Sequence, residues 1–171
     1  MVTLVNPGLP PISLSDGLFD TRFNKFKIGE GYVYFKLTSA PALAGQFVQH
    51  RFRNPTGSGK TWFLTKAHVR STIANFLGIT NPVSPALAAL GTAMTTATKK
   101  QGQAASVMSA TFALNAAGPF TIDGGAILNQ ANVAFNELLG IILPVNTSCD
   151  MVFSTTNTTD TDDLVVEGYE E

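Results

Sequence analysis

Arg51-Phe52-Arg53-Asn54-Pro55-Thr56-Gly57-Ser58-Gly59-Lys60-Thr61-Trp62-Phe63-Leu64 is the stretch whose reading decides the fold class. It resembles the spelling of a phosphate-binding loop, Gly-x-x-x-x-Gly-Lys-Ser/Thr, which leaves a strand and opens a helix. Counting back from Gly59-Lys60-Thr61 places the first glycine of that motif at position 54, where the chain has Asn54. The following residues, Trp62 to Arg70, are aromatic, β-branched and mixed polar, the composition of a strand. Without a helix there is no cluster of N-terminal N–H groups to hold a phosphate. The stretch therefore predicts a hairpin: two antiparallel strands joined by a structural loop of Asn54, Pro55, Gly57, Gly59 and Lys60, the glycines supplying positive φ. Setting Arg53 opposite Thr61 puts Phe52 opposite Trp62 and His50 opposite Leu64, side-chain pairs suited to a buried sheet face.

Working outward, the 171 residues suffice for one domain with its own core. Charged residues are 13%, about half the usual share. A surface so poor in charge must be covered by small polar residues or buried against other subunits. Twenty threonines favour strands. All 11 Lys and Arg lie between Arg22 and Lys100, while nine of the 12 carboxylates lie beyond it, so the two segments carry 11 − 3 = +8 and −9. Either the halves interleave and neutralise each other, or opposite faces differ in sign and steer assembly.

Cys149 is the single cysteine, so the fold rests on packing and strand pairing; it reads as a small apolar strand residue, and a reduced intracellular origin fits. The first residues lack the basic start and apolar run of a signal peptide, and Pro82, Pro85, Asn129, Asn132 and Glu137 break every apolar stretch short of a membrane span. The sequons at Asn146 and Asn157 are read as chance.

Residues 1–28, with Pro7, Pro10 and Pro11 and scattered phenylalanines, read as an extended N-terminal arm, and 29–171 as a β-sandwich domain. Strands are expected at 31–38, 47–53, 61–73, 92–98, 104–114, 149–154 and 164–169. Ser84-Pro85 through Gly91 has the cap, first-turn proline and terminal glycine of a short helix. Residues 127–139 fit a helix stopped by Gly140 or isolated short strands. Short strands at this spacing predict a mostly β fold: a single antiparallel, jelly-roll-like sandwich with one or two short helices.

Few residues carry chemistry. His50 and His68 lie mid-strand without further metal ligands, and read as structural. Asp160-Thr161-Asp162-Asp163 lacks the Asp-x-Asp-x-Asp-Gly…Glu pattern of a calcium loop and reads as a solvated loop. No Gly-x-Ser-x-Gly elbow is present. Arg51, Arg53, Lys60, Lys66 and Arg70 could gather round the hairpin, but a net charge of −1 argues against specific nucleic-acid binding. No catalytic residue, metal ligand, cofactor or membrane contact is assigned.

The strand, Asn54-Pro55-Thr56-Gly57-Ser58-Gly59-Lys60 and aromatic-rich strand resemble a pattern in small β-sandwich structural proteins of tailed bacteriophage virions, the capsid decoration, head-fibre and tail-associated components. The end of the chain is similar to theirs: a Gly140–Pro144 turn, a strand, a Thr/Asn-rich loop at 155–161 and a terminal strand closing on Glu167-Gly168-Tyr169-Glu170-Glu171. The resemblance implies a non-enzymatic virion protein, assembled in the host cytoplasm. It further implies a homo-oligomer, with a trimer favoured, that docks on partners such as the major capsid protein. The alternative from the residues is a sandwich module that recognises carbohydrate or a host surface through an exposed aromatic platform of Trp62, Tyr32 or Tyr34.

Overall fold

A computed structural model describes residues 31–171 and the backbone of two short strands, Thr3–Leu4 (β1) and Ile12–Ser13 (β2), which pair with each other. The expected arm at 1–28 otherwise lies outside the described residues. The rest is all strand and loop. The strands are β3 (Tyr32–Ser39), β4 (Phe47–Asn54), β5 (Trp62–Ser71), β6 (Asn75–Ile79), β7 (Thr92–Ala93) and β8 (Thr95–Thr98). They continue with β9 (Ser109–Ala116), β10 (Gly125–Asn129), β11 (Ala134–Leu143), β12 (Thr147–Phe153) and β13 (Asp162–Glu170). They form a six-stranded sheet, β10-β6-β12-β4-β9-β7, and a five-stranded sheet, β11-β5-β13-β3-β8, every pairing antiparallel.

The two sheets pack face to face because their strands alternate. Leu64, Ala67 and Val69 of β5 and Leu164 and Val166 of β13 face Val48, Phe52, Leu77 and Met151 of the other sheet in one continuous core. At its centre Tyr34 meets Trp62 with ring centroids 4.8 Å apart and Phe52 at 6.4 Å, both edge-on, the geometry aromatic quadrupoles favour.

The structure corrects the hairpin. β4 pairs with β12 and β9, β5 with β13 and β11, and the two never pair with each other. The 54–60 loop is an arch carrying the chain from one sheet to the other. Phe52 and Trp62 do touch, at 5.7 Å between centroids, but across the core rather than side by side. The physical reason lies in Asn54, the residue that spoils the phosphate-loop spelling. Its side chain is buried, and its amide donates to the Lys60 and Leu143 carbonyls, both at 2.8 Å. Its Oδ1 accepts from Ser58 Oγ at 2.6 Å. One carboxamide thus closes the arch and ties the end of β4 to the end of β11 in the opposite sheet. Thr61 then exchanges both backbone hydrogen bonds with Glu171, so β5 starts beside β13. Gly57 and Gly59 take φ of 83° and 66° with open space around them, so backbone conformation alone demands glycine.

The helices are also corrected. Residues 84–91 form an extended strap over the outer face of the six-stranded sheet. Side chains of that sheet and of the turn before β12 capture its backbone: Asn146 Oδ1 accepts from Ala86 N, Ser148 Oγ from Leu87 N and Thr111 Oγ1 from Leu90 N, at 3.2, 3.0 and 2.9 Å. Arg51 donates to the Ala88 carbonyl at 2.8 Å. Groups that would have closed helical turns are spent on the sheet. Residues 127–139 belong to β10, a tight connection and β11, which runs on through Gly140 with a register shift between Leu138 and Ile141. The strand β6 is an element the sequence reading missed.

Asn54→Ala takes the amide donor from the buried Leu143 carbonyl and the shorter of two side-chain bonds from the Lys60 carbonyl, and should lower unfolding stability in urea by about 2 kcal/mol. Lys60→Ala removes the half-exposed partner of a buried carboxylate, Glu170, which keeps its bonds from Ser106 and Val107, and should cost less, about 1 kcal/mol. Asn54→Gly completes the phosphate-loop spelling and should destabilise like the alanine variant while gaining no nucleotide binding in a fluorescent-ATP titration.

Candidate functional site

Around the arch, Lys60 Nζ reaches Glu170 Oε2 at 3.3 Å. The other oxygen of Glu170 accepts from Ser106 Oγ and, at 3.1 Å, from Val107 N. The Tyr34 hydroxyl sits 2.6 Å from Ser106 Oγ, and burial holds its pKa above the ordinary tyrosine value. A cleft of about 370 Å³ opens beside this chain of contacts, lined by Tyr32, Lys60, Gln101, Gln103 and Glu170 among others. Of the five structural residues assigned to the loop, the arch brings together Asn54, Pro55, Gly57, Gly59 and Lys60 as a connection with Lys60 at its outer side.

The basic residues do not gather into one patch. Arg51, on the six-stranded sheet, grips Asp150 with Nε and Nη2 at 2.7 and 2.8 Å, and Gln49 adds a third bond to the same carboxylate at 2.8 Å. Lys66 and Arg70 belong to the five-stranded sheet, where Arg70 approaches Asp163 at 3.9 Å. Lys99 and His68 both bind Glu167, His68 Nε2 at 3.0 Å, and His68 Nδ1 meets Asn136. Burial alone would raise the pKa of Glu167, but the bonds from Lys99 and His68 outweigh it and hold the carboxyl below its ordinary value. Each of these ion pairs joins a cation from residues up to 100 to a carboxylate from residues 150 onward. At these pairs the two halves of the chain interleave and their opposite charges meet.

His50 lies in the core, packed edge-on against Phe153 and tilted against Phe112, with neither ring nitrogen in a hydrogen bond of good geometry. Burial pushes its pKa down to about 3, the Met151 backbone opposing and Lys36 adding to the fall. Cys149, opposite Phe52 on the same sheet, is also buried, and burial raises its thiol pKa above the ordinary value. The proposed aromatic platform is corrected: Trp62, Tyr34 and Tyr32 are all core residues.

The acidic segment at 160–163 is corrected as well. Asp160 and Asp162 are fully buried, and only Asp163 reaches the outer surface. They join Ser71, Thr72, Asn75 and Asn129 in a polar cluster at the far end of β5 from the arch. Burial pushes the pKa of Asp162 up to about 6, with hydrogen bonds from Ser71 and Asn75 opposing and Asp160 and Asp163 adding to the rise. No three His, Cys, Asp or Glu side chains converge among the described residues. The sequence offered one signal for this cluster, the Asp160-x-Asp162 spacing; its other members come from strands remote along the chain.

The remaining candidate is a surface. β10 and β11 close the same side of the sandwich, each at the edge of its sheet. Leu128 is 75% exposed beside Phe76 on one outer face, and Leu138 is 81% exposed, with Ile142 two-fifths exposed on the same strand, on the other. Compared with known proteins, the chain matches no protein-family model, no curated protein and no solved structure.

Both His50 and Glu167 give stability that acid removes. Their folded pKa values lie below the unfolded ones, so the unfolded chain binds the extra proton as pH falls, from 6.5 toward about 3 for His50 and below 4.5 for Glu167. Urea unfolding across the acid range should show a flatter decline for His50→Leu between those limits and for Glu167→Gln below pH 4.5.

Proposed function

We propose that this chain is a structural, non-enzymatic component of a tailed-phage virion, a capsid decoration or head-fibre-type protein. In this reading it self-assembles, preferably as a trimer, and docks on virion proteins such as the major capsid protein. The observation that carries the reading is the apolar edge. Single exposed leucines are ordinary, but here two neighbouring edge strands, which carry one charge between them, Glu137, each present an apolar pair on their outer face: Leu128 with Phe76 of the adjoining β6 on one face, Leu138 with Ile142 on the other. Among the described residues β11 pairs with β5 alone, which leaves its other backbone edge to a partner. Such a surface suits protein contact better than solvent.

The strand order supports the same reading. With β7, β8 and β9 set aside, the sheets read β3-β13-β5-β11 and β4-β12-β6-β10. Consecutive strands alternate between sheets except at β6 and β10. That is the order of two interleaved Greek keys, the jelly roll used by many viral capsid domains. A fold does not carry a function by itself; the edge and the loop resemblance supply the rest.

Light scattering on the purified chain should give about 54 kDa, three times its 18.1 kDa mass. Leu138→Asp should return it to the mass of one chain with an unchanged circular dichroism spectrum, since the side chain is exposed. A wild-type monomer would overturn self-assembly, and a trimer indifferent to Leu138→Asp would overturn the edge as its interface.

A further inference from the structure

The buried cluster at the end of β5 contains more acceptors than donors. Asp160 Oδ1 accepts from Thr72 Oγ1 and Ile73 N at 2.8 and 2.9 Å, and its Oδ2 accepts only from Asn75 Nδ2 at 3.0 Å. Asp162 Oδ1 accepts from Ser71 Oγ at 2.6 Å and Asn75 Nδ2 at 3.1 Å; its Oδ2 is buried with no partner. Among the described residues no Lys, Arg or His bonds to either carboxylate; Arg70 pairs with Asp163 instead.

Asn129 makes the deficit independent of the acids. It stands on β10, in the other sheet from β13, and is 4% exposed. The orientation of its amide follows from the network. Asn75 must turn its NH₂ toward the two carboxylates, which can only accept, so its Oδ1 faces Asn129. Asn129 therefore donates Nδ2 to that oxygen at 3.0 Å, and its own Oδ1 is left buried without a donor. Two carboxylates and one amide oxygen thus lack positive partners in a site closed to solvent, a costly arrangement for an apo protein. Water could satisfy an orphan acceptor but would leave the negative charges uncompensated.

We propose that Asp160, Asp162 and Asn129 form a binding site for a divalent cation, with Ca²⁺ the best match. The donor set is all oxygen, which selects a hard cation, and two carboxylates match its charge. The ligands come from strand ends and a loop of irregular geometry, which Ca²⁺ tolerates and Mg²⁺ does not. Since β5 and β13 belong to one sheet and β6 and β10 to the other, the ion would staple both sheets at the end opposite the Asn54 arch. The proposal stands apart from the assembly reading: Asn129 shares edge strand β10 with Leu128, but its side chain is buried where that of Leu128 is exposed, and Asp160 and Asp162 are buried too.

Equilibrium dialysis of the full chain against radioactive Ca²⁺ near neutral pH decides it. One Ca²⁺ per chain is expected, with saturation below about 1 mM. Affinity should fall about tenfold or more in both Asp162→Asn and Asn129→Leu. The wild-type melting temperature should rise with Ca²⁺ and drop again with chelator. Folded wild-type protein that binds no Ca²⁺ would overturn the proposal; so would binding that both variants retain. A melting temperature that responds to pH across the Asp162 range but not to Ca²⁺ would assign the site to a proton and overturn it equally.

Discussion

The carboxamide of Asn54 holds the two sheets together where the chain passes between them, and much of the architecture follows from that crossing. Bonded to Lys60 in its own arch and to Leu143 in the opposite sheet, it ends β4 and forces β5 to begin in the other layer. With the crossing fixed, the apolar faces of β4 and β5 confront each other across the core. Phe52, Trp62 and Tyr34 then pack as one aromatic group. A glycine at this position, as a phosphate loop requires, would have no side chain to make any of the three bonds.

β3, β4, β5 and β13 were legible because alternation of more and less buried residues survives in the sequence, and β12, buried almost throughout, by its composition; all five fall close to their expected positions. Their partners were not legible. Phe52 and Trp62 share a face whether their strands lie side by side or confront each other across a sandwich, so alternation cannot separate a hairpin from an arch. The strap at 84–91 misled for a different reason. Its Ser-Pro start and terminal glycine are honest local signals, but side chains of Asn146, Ser148 and Thr111, distant along the chain, claim its N–H groups. The acidic cluster failed similarly: burial of Asp160 and Asp162 depends on Ser71, Asn75 and Asn129, none of them near in sequence.

The charge pattern and the edge fit together. Arg51, Lys60, Arg70 and Lys99 from the first part of the chain meet carboxylates from the last, while the edge strands β10 and β11 carry a single charge, Glu137. Glu137 and the register shift between Leu138 and Ile141 interrupt β11, devices that discourage indiscriminate strand addition while leaving Leu138 available to a specific partner.

The position of β13 has a consequence for biosynthesis. The last strand in sequence sits at the middle of the five-stranded sheet, between β5 and β3. Gly168 fits there only because it has no side chain: a Cβ would stand 2.5 Å from the Phe63 carbonyl oxygen. While the ribosome is still elongating, β3 and β5 have no common neighbour, and Lys60, Arg70 and Lys99 have no carboxylates to meet. The sandwich is therefore completed by a late insertion, and a nascent chain stalled before β13 would present two unfilled strand edges to any chaperone in reach.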